Sequence, residues 1–206
     1  MRRPRRKLSF AALVLALLGA VLWQIPPVQA VFAISNLSDP RKLATLGERG
    51  ANPRFNKIVY WLHEAEAWRL APETAVHCAQ WLNGTREPRA SLVRTNLLRN
   101  LALAAELGLL TEPNLTKLRR GSAATVTHGP HAGQAVEVDH IVPRSLAPEV
   151  ENELANLELL PASLNRRKSD RVGERQLAHA RQLHAAGLLT ATSLERVTAR
   201  ASLPPP

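Results

Sequence analysis

One cysteine, Cys78, stands in a chain of 206 residues, so no internal disulfide can form and no zinc site can be assembled from thiolates. Alone in a helical stretch, it reads as a small buried hydrophobe. Acids are scarce as well: there are 17 Asp and Glu against 27 Lys and Arg, and none precedes Asp39. Five of the bases (Arg2, Arg3, Arg5, Arg6 and Lys7) lie before position 8, so half of the formal charge of +10 belongs to that end. The remaining body is moderately basic, which fits a polyanionic partner such as nucleic acid and equally a soluble protein with a solvated basic face. The length allows one compact domain and a leader, with little room for a second full domain.

The leader is residues 1–30. A basic start precedes an apolar run from Leu8 to Trp23, and Val28-Gln29-Ala30 then offers a small-residue cleavage site. The run falls short of the ~20 residues of a comfortable membrane span. Cleavage after Ala30 is the first expectation, and an uncleaved single-span anchor formed by residues 8–23 is the rival. Either way, positive charge ahead of the run places the body outside the cytoplasm, periplasmic or secreted in the first case and membrane-anchored in the second. The consensus of a twin-arginine signal is missing.

Residues 31–54 are polar and broken by Pro40, Gly47, Gly50 and Pro53, and read as a linker. A helical region follows over 55–122. Phe55, Ile58, Leu62 and Ala65 repeat at helical spacing, and Tyr60, Trp61, Trp68 and Trp81 are assigned to packing rather than to a base-stacking platform. A second helix runs from Pro72 to a stop at Gly84, and a third from about Pro88 or Ser91 to Leu107, closing at Gly108. Arg89, Arg94 and Arg99 on the third are assigned to a solvated polar face. Residues 123–128 and the turn after them resemble a strand returning into Val136, with His128 and His131 read as exposed turn histidines. The acidic stretch 146–154 reads as a solvent-facing loop or short helix, and two further helices occupy 172–206.

The chemistry gathers between these parts. Val136 and Val138 alternate with polar neighbours in a short strand that leads to Asp139-His140-Ile141-Val142-Pro143, and residues 157–160 read as a second strand. Pro161 is placed to open a helix at its first turn, with Asn165 about one turn in and Arg166, Arg167 and Lys168 directly after. Adjacent strand residues face opposite ways, so Asp139 and His140 cannot address one phosphate from a regular strand, and the strand is expected to end near Asp139. Phosphodiester hydrolysis needs a base for water, a cation for the charge at phosphorus and the departing oxygen, and positive groups to hold the strand. Neutral His140 can be the base. Asp139 and the Asn165 amide are hard oxygen donors suited to Mg²⁺. Arg144, Arg166, Arg167 and Lys168 are candidate phosphate contacts.

The order Asp139-His140-Ile141-Val142-Pro143, then Asn156-Leu157, then Asn165-Arg166-Arg167-Lys168-Ser169-Asp170, resembles the HNH or ββα-metal endonuclease family. In manner it is similar to the HNH domain of the CRISPR RNA-guided nucleases. The resemblance covers about 123–171, under a third of the chain. It implies that Asn156 orients the imidazole and that the product is a 5′ phosphate. Asn165 stands where many members have histidine, which suits oxygen-ligated Mg²⁺ better than Zn²⁺. Ser163 stands where some relatives offer a further acid, and reads as a helix-surface serine.

The expected fold is therefore α+β, a mainly helical domain around a small ββα-metal core at 123–171, preceded by a signal or anchor. The expected function is metal-dependent hydrolysis of DNA outside the cytoplasm. A catalytically silent nucleic-acid-binding module and a membrane-anchored interaction protein are the alternatives.

Overall fold

The computed structural model describes residues 25–202 together with Ala12. The basic start, the apolar run 8–23 and the terminal prolines lie outside the described residues.

The described residues are mainly helical with one two-stranded sheet, an α+β arrangement. Helices α1 (Pro26–Leu37), α2 (Pro40–Leu43), α3 (Ala51–Ala67), α4 (Pro72–Asn83), α5 (Arg89–Glu106) and α6 (Glu112–Arg120) precede strands β1 (Val136–His140) and β2 (Leu157–Pro161). Helix α7 (Ala162–Lys168) follows β2 directly, and α8 (Glu174–Ala185) and α9 (Ala191–Ala201) close the fold.

The segment 31–54 corrects the linker expectation. Pro26 and Pro40 stand in the first turns of α1 and α2, where the missing N–H is no loss and the fixed φ favours the helix, so these prolines start helices rather than break them. Ala30 and Ile34 of α1 are fully buried against α3 and α4, and Leu43 and Ala51 are buried too. The boundary after Ala30 thus falls inside a packed helix.

Helix α3 is the central element. Phe55, Ile58, Val59 and Leu62 are fully buried, each side chain contributing about 1.5–3 kcal/mol by leaving water. Around it lie α1, α4, α5 and α6. The predicted stops hold: Gly84 and Gly108 have φ of 75° and 66°, values a glycine adopts without strain. Two packing expectations do not hold. Trp68 and Trp81 are 55% and 79% exposed, and Cys78 is exposed: Trp68 caps the end of α3, and Trp81 and Cys78 fall on the side of α4 turned away from the core.

Strands β1 and β2 pair antiparallel in the register Val136↔Pro161 to His140↔Leu157. The expected strand at 123–128 is reduced to a single bridge, Thr125↔Ala135. The outer side of β2 is closed by α5. Asn96 Nδ2 donates to the carbonyls of Leu154 and Leu157, both at 2.7 Å, and Asn100 Oδ1 accepts from Leu159 N–H at 2.8 Å. Spaced one turn apart, these asparagines satisfy a strand edge that would otherwise be buried with unpaired groups.

Candidate active site

The register fixes which side chains share a face. Glu137 and Asp139 project to one side of β1, with Glu158 directly opposite Asp139. Val136, Val138 and His140 project to the other, opposite Leu159 and Leu157, which are buried in the core. The strand ends near Asp139, one residue beyond it: pairing continues through His140, and Ile141 N–H donates to Asn156 O at 2.7 Å. Asp139 and His140 still line one cavity, of about 330 Å³, together with Glu137 and Asn165. His140 can do so because it is the last residue of the strand, where the chain turns away.

His140 is 6% exposed, and its Nε2 lies 2.9 Å from the carbonyl oxygen of Glu151. A carbonyl only accepts, so Nε2 carries the proton and Nδ1 keeps the lone pair. Burial lowers the imidazole pKa from its ordinary value, and the Glu151 carbonyl and the Asp139 charge offset only part of that. The ring is therefore neutral at neutral pH, as a base must be.

Asn156 does not hold the ring. Fully buried, it accepts at Oδ1 from Val142 N–H at 2.8 Å and donates from Nδ2 to the carbonyls of Val142 and Val150 at 3.1 and 3.4 Å. It clips together the two ends of the 142–150 loop, and the residue after that loop is Glu151. Its influence on the imidazole is thus indirect, through the carbonyl that Glu151 presents.

Asn165, in the second turn of the short helix α7, donates from Nδ2 to Glu137 Oε2 at 2.6 Å. That contact orients the amide and leaves its Oδ1 without a donor among the described residues. Lys168 lies one turn below on the same face. Its ammonium is 2.5 Å from Asp139 Oδ2 and 3.3 Å from Glu158 Oε1, and also bonds His140 O. It is turned inward, its side chain only 11% exposed, where a strand contact was expected. Arg166 and Arg167 are exposed on the outer side of α7. Arg144 is engaged by Glu48 and Glu151 at 2.8 and 3.1 Å.

Behind the site Glu158 is 1% exposed and meets Arg99, Arg175 and Lys168. Burial pushes its carboxyl up, but the three cations outweigh that and the pKa is lowered. Arg89 likewise meets Glu153 at 2.7 Å and Arg94 meets Glu87 at 3.7 Å, so the arginines of α5 bind acids of this chain rather than only facing water. The acids of 146–154 are engaged too: Glu149 accepts from Thr190 and Ser193 at the start of α9. His128 is exposed, while His131 Nδ1 lies 3.3 Å from Ser163 Oγ.

Sequence reasoning passed over Glu137, Glu151 and Arg49. Glu137 had a usable signal, since a residue two before Asp139 on a strand shares its face. Glu151 acts through its backbone oxygen, which no side-chain pattern announces. Arg49 reaches the cavity from the start of α3, roughly ninety residues away in sequence.

A divalent cation can be tested against these donors. Asp139 Oδ1, Glu137 Oε1 and Asn165 Oδ1 are hard oxygens on one cavity and take no protein donor among the described residues. Among the described residues no three His, Cys, Asp or Glu side chains form a group that could hold a metal ion. The donors present are two carboxylates and one amide oxygen, the oxygen type that Mg²⁺ takes when it keeps several waters and few protein ligands. Comparisons with family profiles, curated protein sequences and solved structures return no match to this chain.

Proposed function

We propose that the chain is a metal-dependent endonuclease of the HNH type, hydrolysing phosphodiester bonds of DNA outside the cytoplasm. The observation that carries the reading is the meeting of His140, Asp139 and Asn165 on one cavity, with the imidazole held so that Nδ1 is its free basic nitrogen.

In this reading His140 Nδ1 takes a proton from the water that attacks phosphorus, while the Glu151 carbonyl keeps the ring from rotating. Asp139 and Asn165, with Glu137 beside them, would hold Mg²⁺ through oxygen. When bound, the ion supplies charge stabilisation at the departing 3′ oxygen, leaving a 5′ phosphate. Arg166 and Arg167, exposed on α7, approach the flanking phosphates. Lys168 keeps Glu158 as a partner even if Asp139 turns to a cation, so the ammonium is not stranded when the ion arrives.

One observation favours a second reading. The Lys168–Asp139 pair neutralises the carboxylate without any metal, as a catalytically silent nucleic-acid-binding module would.

The test uses the full chain in detergent, with supercoiled plasmid and either Mg²⁺ or a chelator. Nicking that needs the ion and falls by ~10²-fold or more in His140→Ala supports the nuclease. Intact plasmid with wild type across Mg²⁺, Mn²⁺ and Ca²⁺ overturns it, and DNA binding in the same samples then selects the silent module.

A further inference from the structure

We infer that Arg49 is the phosphate-binding cation of the cavity, holding an oxygen of the strand that His140 addresses. This rests on the nuclease reading and adds a residue that no part of the motif contains.

Charge and availability single it out. Of the basic residues expected to meet phosphate, Arg144 is engaged by two glutamates, Lys168 is turned inward, and Arg166 and Arg167 do not line the cavity. Arg49 does line it, and is the one arginine or lysine among the described residues that does. It is exposed, and no described residue pairs with its guanidinium, in contrast to Arg89, Arg94, Arg99, Arg144 and Arg175. A planar fork of donors with no carboxylate of its own, beside a site built for phosphodiester chemistry, is suited to a bidentate phosphate contact.

The backbone holds the side chain there at a cost. Arg49 has φ of 53°, a left-handed conformation that a residue with a Cβ rarely adopts. It is kept by its N–H, which donates to Glu151 Oε1 at 3.1 Å, and by its carbonyl, which accepts from Asn52 N–H at 3.0 Å. Glu151 is the residue whose carbonyl fixes His140, so the base and the arginine are anchored to the same point of the chain. On the same wall Asn52 Nδ2 donates to Val138 O at 3.2 Å, and its Oδ1 is buried with no donor.

Fluorescence anisotropy of a labelled DNA duplex tests this in the full-length His140→Ala background with Mg²⁺, where the strand is not cut. Adding Arg49→Gln should weaken binding by about tenfold and lower the dependence of log K on log salt by about 0.9, the release expected for one phosphate contact. Arg49→Gly should show the same loss while relieving the left-handed backbone, so its thermal midpoint stays at or above that of the parent. Equal affinity and equal salt slope in both variants overturn the assignment while leaving the nuclease reading intact. No duplex binding by His140→Ala itself removes the nucleic-acid reading, and the role of Arg49 with it.

Discussion

Replacing Asn156 by alanine tests how the loop beside the base is held. The side chain makes two good hydrogen bonds to Val142, at 2.8 and 3.1 Å, and a longer one of 3.4 Å to Val150 O. Asn156 and Val142 are fully buried and Val150 is 1% exposed, so water cannot replace what is lost. Alanine leaves the Val142 N–H and C=O without partners. At about 1–3 kcal/mol for each buried orphan, and little for the longest contact, the loss is about 2–6 kcal/mol. For a folded body of this size each kcal/mol moves the midpoint by about 2–4 °C, so the expected drop is roughly 10 °C. Thermal unfolding followed by circular dichroism in chelator measures it with no contribution from a bound ion. Asn156→Asp keeps an acceptor for Val142 N–H but faces two carbonyls with a buried charge, and should be at least as damaging. A midpoint within 2 °C of wild type for Asn156→Ala would refute the reasoning, because the loop would then be held by something other than this side chain.

Two further outcomes follow from the same structure. Because the folded pKa of His140 is lowered, cleavage should hold through neutral pH and fall as pH drops below the ordinary histidine range near 6.5, where the ring takes up a proton; a pH–rate profile at fixed Mg²⁺ checks this. The linkage has the same sign: the unfolded histidine binds its proton first, so the stability contribution of this group is present above about pH 6.5 and lost as pH falls through the lower folded value. A chain beginning at Val31 loses the first turn of α1 and the buried Ala30, and should melt several degrees below one beginning at Gln24, which differential scanning calorimetry can resolve. Equal midpoints would show that the first turn of α1 contributes nothing to the fold.

Much of the strand–strand–helix unit was legible because each signal was local. Val136 and Val138 alternate with polar neighbours, Pro161 precedes a helix, and Asn165 falls within α7 as its position after that proline requires. Helix ends at Gly84 and Gly108 were legible for the same reason. The segment 31–54 was not, since proline marks both a break and a helix start, and only packing against α3 decides which meaning holds. Trp81 and Cys78 were misread because residue type predicts burial only on average, while their place on the outer side of α4 is set by what α1 and α5 cover. The hold on His140 escaped sequence reading because it comes from a backbone oxygen eleven residues away.

The pattern of charge around the cavity bears on why a cation and an arginine would both be needed. Glu158 is served by Arg99 and Arg175 from the half-exposed side, which leaves the inward Lys168 to be shared with Asp139. Glu137, on the same face, has only the neutral amide of Asn165 as a partner. One carboxylate of the wall therefore lacks a cationic counterpart among the described residues, and it is the one whose partner also carries the free amide oxygen. A phosphate entering such a wall would meet repulsion from Glu137, on the order of 1–4 kcal/mol for an unscreened pair at close range, while Lys168 offsets Asp139. In the proposed nuclease that charge would be offset by a hard ion at the carboxylates and the Asn165 oxygen and by the guanidinium of Arg49, the one arginine or lysine among the described residues that lines the cavity.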